Sequence, residues 1–110
     1  MTVGTRVLSC AFRLNIPSTK KAHLKLVEAT VKNSAPGSKL EIDVVRRHAI
    51  TESWESIFDE TNLEVQAGDY RGQQSRFAIS LFYLNDDIDI DIITNGGADN
   101  CSVSFLWELI

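Results

Sequence analysis

The sequence predicts an α+β fold: one domain spanning residues 1–110, with a mainly antiparallel sheet of about five strands and two helices. The predicted order is β-α-β-α-β-β-β. Three observations favour it. The length of 110 residues suits a single hydrophobic core. Five segments alternate apolar and polar side chains, as half-buried strands do, and two others space their apolar side chains as a helix does.

The first predicted strand covers residues 5–16 and ends at Pro17 and Ser18. Its side chains alternate strictly, which indicates one buried and one exposed face. The buried face would hold Leu8, Cys10, Phe12, Leu14 and Ile16.

Residues 18–33 favour a helix but leave a strand open. Ser18 or Thr19 could cap a helix, and an apolar stripe at helical spacing follows, made of Leu24, Val27 and Val31. Against this, Lys20 and Lys21 would face the positive end of the helix dipole. The β-branched side chains of this segment also suit a strand. The helix is the prediction and the strand is its alternative.

Residues 39–46 predict a second strand, since Leu40, Ile42 and Val44 alternate with polar positions. Residues 51–61 predict the second helix, with a capping Thr51 or Ser53. Its apolar stripe would be Trp54, Ile57 and Phe58. Residues 66–75 are polar and predict a loop.

Three strands are predicted close together at the end of the chain, over 76–84, 88–94 and 101–109. The connections are short, and Asn95-Gly96 favours the positive φ angles of tight turns. We therefore expect an antiparallel meander. Its buried side chains would be Ile88, Ile90, Ile92, Val103, Phe105 and Trp107.

The segment Asp86-Asp87-Ile88-Asp89-Ile90-Asp91 is the most informative stretch of the chain. If the isoleucines face a core, the aspartates stand in a row on the other face, roughly 7 Å apart. Three interpretations stay open: a solvated face that discourages aggregation, a docking surface for a basic protein, or a divalent metal site. The metal interpretation is the weakest, because Ile92 stands where a calcium loop needs glycine.

The charges are divided unevenly along the chain. Residues 1–50 carry nine basic and three acidic side chains, whereas residues 51–110 carry two basic and twelve acidic ones. An exposed C-terminal sheet face would therefore be anionic, attract basic partners and repel nucleic acid. Pairing of these charges within the fold is the alternative.

Several features argue against catalysis and against cofactors. Cys10 and Cys101 lie on the apolar faces of predicted strands, which indicates free thiols in a reducing compartment. A disulfide between them is the alternative if the two strands are neighbours. His48 follows Arg46 and Arg47, and it could serve an enzyme only with a nucleophile that the sequence does not present. No spacing typical of a metal or phosphate site appears, and no apolar run is long enough to span a membrane.

Together these observations predict a small, acidic, cytoplasmic protein-binding module without enzymatic activity. The sequence favours a monomer but leaves the oligomeric state open. Its character is similar in type to bacterial immunity and inhibitor proteins. It would dock on and occlude a basic partner such as a nuclease toxin. The alternative is a structural or assembly subunit, of a phage or a multi-protein complex, that self-associates through a sheet edge. The candidate contact residues are Asp86, Asp87, Asp89, Asp91, Asp99, Tyr70 and Arg71, with Leu106 as a further possible anchor.

Overall fold

The computed structural model describes residues 3–4, 12–32, 35–98 and 100–110, and all regular structure within them is β-strand. The predicted α+β class is therefore wrong. The strands are β1 Phe12–Arg13, β2 Ala22–Thr30, β3 Leu40–Arg47, β4 Trp54–Ser56, β5 Leu63–Val65, β6 Arg71–Gln74, β7 Leu81–Phe82, β8 Asp87–Thr94 and β9 Ser102–Leu109.

These strands form two antiparallel sheets. In the first sheet, β8 lies between β1 and β3, and the far side of β3 pairs with β5 near its start and with β4 near its end. In the second sheet, β2 is central, with β9 along one side and β6 and β7 along the other. The inner faces enclose one cluster of buried side chains, the arrangement of a β-sandwich.

The predicted C-terminal meander is also wrong, because its three strands do not pair with one another. Among the described strands, β8 pairs with β1 and β3, while β7 and β9 pair with β2 in the other sheet. Ile88, Ile90 and Ile92 are buried as expected. The alternating side chains of β9 lie partly buried against the core: Val103, Phe105 and Trp107.

The segment predicted as the first helix is strand β2, the alternative that the sequence left open. A β-bulge explains why its apolar residues have helical spacing. The ladder between β2 and β9 shifts register between Leu24 and Leu26, which inserts one extra residue into β2. The buried positions therefore change phase, from Ala22 and Leu24 before the bulge to Val27, Ala29 and Val31 after it. This phase change produces the spacing of a helix in a segment that is extended throughout.

The second predicted helix, residues 51–61, is irregular chain around the short strand β4. Glu52 has a φ of 58°, a left-handed conformation that a helix start does not accommodate. Ile57 then donates its N–H to the carbonyl of Val44 and accepts from the N–H of Ala78. Ile57 and Phe58 of the apolar stripe are thus buried by tertiary contacts, whereas Trp54 is only partly buried. The helix, short and marginal by itself, does not form.

The predicted loop at 66–75 contains β6, which sequence analysis missed. Gly72 lies so close to β5 that an added Cβ would stand 1.9 Å from the carbonyl oxygen of Glu64. The close approach of β5 and β6 joins the two sheets along this side of the sandwich.

Candidate functional site

The acidic row is buried, contrary to the expected exposed face. Asp86 and Asp89 are fully inaccessible, and Asp87 and Asp91 are nearly so. The alternation of β8 is as predicted, since its isoleucines belong to the core between the sheets. Asp87, Asp89 and Asp91 alternate with these isoleucines, so their carboxylates point away from the second sheet. They are nonetheless covered by protein. They do not form a contact surface in this structure.

Asp87 is held by two arginines from neighbouring strands. Nε of Arg13 lies 2.7 Å from one carboxylate oxygen, and Arg47 donates from Nε to the other at 3.1 Å. Hydrogen bonding and charge from Arg13 and Arg47 lower the pKa of Asp87 to about 2. The guanidinium of Arg47 also lies over the ring of Trp54, 5.2 Å from its centroid. Asp87 is therefore a structural anion between β1, β8 and β3.

Asp86 stabilises the turn that precedes β8 through hydrogen bonds. Its carboxylate accepts the N–H of Tyr83 at 2.9 Å and the N–H of Ala49 at 3.1 Å. Arg46 lies 3.9 Å away, and its Nε is buried without a hydrogen-bond partner among the described residues. This carboxylate ties the β7–β8 turn to the chain that follows β3.

Asp89 and Asp91 are the other two aspartates of β8, and both lie in the ladder that pairs β8 with β3. Asp91 lies opposite Asp43 in the ladder, and Asp89 accepts the N–H of Ile90 at 2.8 Å. Burial raises the pKa of Asp43, against a hydrogen bond from Ser56, and the neighbouring Asp91 charge raises it further. The residues described here place no group of side chains in the arrangement needed to hold a metal ion. Asp99 lies outside the described residues.

Burial of the row removes its carboxylates from the surface but does not cancel their charge. The formal net charge of the chain is −4. Two of the basic side chains, Arg13 and Arg47, pair with the buried Asp87, so these cations do not balance carboxylates elsewhere on the chain. The row therefore offers no exposed carboxylate for a basic partner to contact.

Tyr70 and Arg71 lie where β6 begins, on the outside of the second sheet. Tyr70 is exposed, and Arg71 pairs with Glu28 at 3.6 Å. Gln73 also donates to Glu28, at 2.6 Å. Glu28 therefore neutralises the cation that sequence analysis proposed as an anchor. Neither Tyr70 nor Arg71 is near the aspartate row in the sheet order, so the structure does not bring the two candidate sets together.

The outer face of the second sheet has a shallow groove of about 320 Å³ along β2 and β9. Leu26 and Leu106 lie opposite each other across this ladder, and Leu106 is 58% exposed. The lining residues are Leu26, Glu28, Ser104, Phe105 and Leu106. Leu106, noted from the sequence as a possible anchor, thus belongs to a small apolar patch with polar surroundings.

The edge of the second sheet is formed by β9, eight residues long. Among the described strands it pairs with β2 alone. Natural edge strands are usually short, charged, bulged or covered. The edge strand β4 has only three residues and carries the exposed Glu55. By contrast, β9 has one charged side chain, Glu108, and the bulge of its ladder lies on β2.

His48 has a structural role in the turn after β3. Its Nδ1 accepts the N–H of Ile50 at 3.0 Å, and its ring lies 5.8 Å from that of Tyr83. The minor hypothesis of an enzyme built on His48 gains no support from these contacts. Sequence analysis missed Arg13 and Arg47 as partners of the aspartates, since only the adjacency of β1, β8 and β3 reveals them.

The fold and its open edge define a class: an all-β sandwich of two antiparallel sheets. Comparison with protein-family models, with curated proteins and with solved structures finds no match for this chain. Within the described ranges, no helix has the length and apolar character needed to cross a bilayer.

Proposed function

We propose that this chain is an assembly module, a non-enzymatic protein that joins another chain by adding a strand at the β9 edge. The observation that supports it is the length of β9, which has a single charged side chain, Glu108, and which among the described strands pairs with β2 alone. As part of the same proposal we place the protein in the cytoplasm, where Cys10 and Cys101 would stay reduced.

The hydrogen-bonding groups of β9 support this proposal. Lys21 and Ile110 exchange two backbone hydrogen bonds, each of 2.8 Å. Because such pairs recur at every second residue of an antiparallel ladder, the even-numbered residues of β9 bond to β2. The odd-numbered residues then direct N–H and C=O groups away from β2, and they are Val103, Phe105, Trp107 and, at the end of the strand, Leu109.

The toxin-inhibitor hypothesis depended on an exposed acidic row. Because Asp86, Asp87, Asp89 and Asp91 are buried, their carboxylates cannot stand in for substrate phosphates without opening the first sheet. We therefore do not carry that hypothesis forward, and the choice falls on the alternative that the sequence left open, association through a sheet edge.

A proline substitution tests the proposal directly. In Val103→Pro the lost N–H is one that faces away from β2, so the sandwich keeps its own ladder. The matched control is Val103→Ala, which shortens the same side chain but keeps the N–H. Each variant is expressed with an affinity tag in the native cell, and the size of the purified complex is measured by sedimentation.

We expect wild type and Val103→Ala to sediment as a complex and Val103→Pro to sediment as a folded single chain. Thermal unfolding of the purified variants checks that the fold persists. A Val103→Pro protein that keeps the whole complex would show that the β9 edge is not the contact.

A further inference from the structure

We propose that the strand added at the β9 edge is β9 of a second copy, running antiparallel, with Leu106 on the twofold axis. This inference rests on the assembly function proposed above and names its partner. A twofold contact is isologous, so the edge must be complementary to itself. Several pairing registers are possible for two copies of β9, and one of them makes the edge more complementary to itself than the others.

Two alternations restrict the possible registers. Residues directly opposite in an antiparallel pair share a face, so the outward even-numbered side chains of β9 must meet even-numbered ones. The open-edge hydrogen bonds belong to the odd-numbered residues, which must meet odd-numbered ones. Both conditions hold only when the twofold axis passes through one residue, which then lies opposite the same residue of the partner. Near the centre of the strand that residue is Ser104, Phe105 or Leu106.

The outer face favours the axis at Leu106. In that register Leu106 lies against the partner's Leu106, and Ser104 lies against the partner's Glu108. The pair buries a leucine that is 58% exposed in the single chain, and it places no like charges opposite each other. With the axis at Phe105 or Ser104, each Leu106 would instead face a serine.

The inner face favours the same register. Phe105 would lie opposite the partner's Trp107, on the side that faces the core. Within one chain these two rings already stack, with centroids 5.9 Å apart, and Trp107 meets Phe82 edge to face at 5.1 Å. Cross-strand aromatic pairs stabilise sheets, so the dimer would extend one aromatic cluster across both copies.

The charge of the edge is compatible with a second copy. Glu108 is the single charged side chain of β9, and in this register it lies opposite the partner's Ser104, so the two Glu108 carboxylates do not meet. Arg71, at the far side of the outer face, is already paired with Glu28. An edge with one charged side chain and a central leucine fits a second edge of the same composition.

Cysteine crosslinking tests the register. In a Cys10→Ala, Cys101→Ala background, Leu106→Cys would place two cysteines at a non-hydrogen-bonded pair, where Cα atoms lie roughly 4.5 Å apart, within reach of a disulfide. The matched control is Ser104→Cys, whose two copies would lie about 14 Å apart along the strand, too far to bridge.

We expect mild oxidation to convert Leu106→Cys to a covalent dimer and to leave Ser104→Cys monomeric. A covalent dimer of Ser104→Cys alone would overturn the register. Sedimentation of the unmodified protein over a range of concentrations supplies a second measurement. Leu106→Lys should raise the dimer dissociation constant by about tenfold or more, since two lysines would then lie opposite each other, whereas Ile50→Lys, at an exposed apolar residue outside β9, should not.

Failure of this inference is distinguishable from failure of the assembly function. If the purified protein is monomeric at every concentration while Val103→Pro still disrupts the cellular complex, the partner of β9 is another protein and the second copy is excluded. If Val103→Pro leaves that complex intact as well, both proposals fail.

Discussion

Nε of Arg13 lies 2.7 Å from a carboxylate oxygen of Asp87, joining two residues 74 positions apart in the chain. The contact links the first described strand to the most acidic one, and Arg47 approaches the same carboxylate from β3. What looks in the sequence like a charged surface is part of the structure that holds the first sheet together.

Acid should weaken the fold through Asp87. Its pKa falls from 3.8 to about 2 in the folded protein, so its contribution to stability is present above about pH 4. That contribution, roughly 2 kcal/mol, is lost as the pH falls through 2. Urea unfolding at several pH values measures it.

The matched pair of variants is Asp87→Asn and Asp69→Asn, the second at an exposed loop position. Asp87→Asn should lower the free energy of unfolding by about 2 kcal/mol at pH 7 and by less at pH 3, while Asp69→Asn should change it little. Equal losses in the two variants would contradict the structural role of Asp87.

Asp43 should show the opposite sign. Because burial and the charge of Asp91 raise its pKa in the folded state, its ionisation costs stability as the pH rises through that range. Asp43→Asn keeps an oxygen acceptor for Ser56, so it should raise the free energy of unfolding at pH 7. A variant less stable than wild type at neutral pH, measured by urea unfolding, would refute this.

Gly72 should tolerate no side chain. In Gly72→Ala the new Cβ would lie 1.9 Å from the Glu64 carbonyl oxygen, so β5 and β6 must separate, at a cost of about 2 kcal/mol or more. Gly37→Ala is the control, since nothing lies within 4 Å of its Cβ position. Thermal unfolding that ranks the two variants equally would mean that the sheets do not meet at this side.

Phe82 should matter more than Trp107. Phe82 is fully buried, while Trp107 is only partly covered. Phe82→Ala should therefore cost about 3 to 5 kcal/mol and Trp107→Ala less. Chemical denaturation of both variants gives the comparison, and a larger loss for Trp107→Ala would place the centre of the core nearer β9 than the structure does.

The alternation of apolar and polar side chains correctly predicted three strands, because β3, β8 and β9 are regular over eight residues each. It failed in β2, where one extra residue at the bulge imitates a helical period. It also failed for β4 to β6, since strands of three or four residues are too short to show a period.

The candidate site was only partly predictable, because alternation shows which face a side chain takes but not which strands become neighbours. Alternation correctly assigned the aspartates and isoleucines of β8 to opposite faces. It could not show that Arg13 and Arg47 would reach Asp87, because that contact depends on which strands become neighbours. The exposure of Leu106, by contrast, followed from the sequence, since it lies among the outward serines of β9.

Amide hydrogen exchange along β9 tests the central claim most directly, measured by nuclear magnetic resonance on the single chain and on its assembled form. In the single chain, the amides of Ser104 and Leu106 should exchange slowly, because they bond to β2, and those of Val103, Phe105 and Trp107 should exchange fast. In the assembled form the three odd-numbered amides should become slow as well. Odd-numbered amides that are already slow in the single chain, or that stay fast on assembly, would contradict the account.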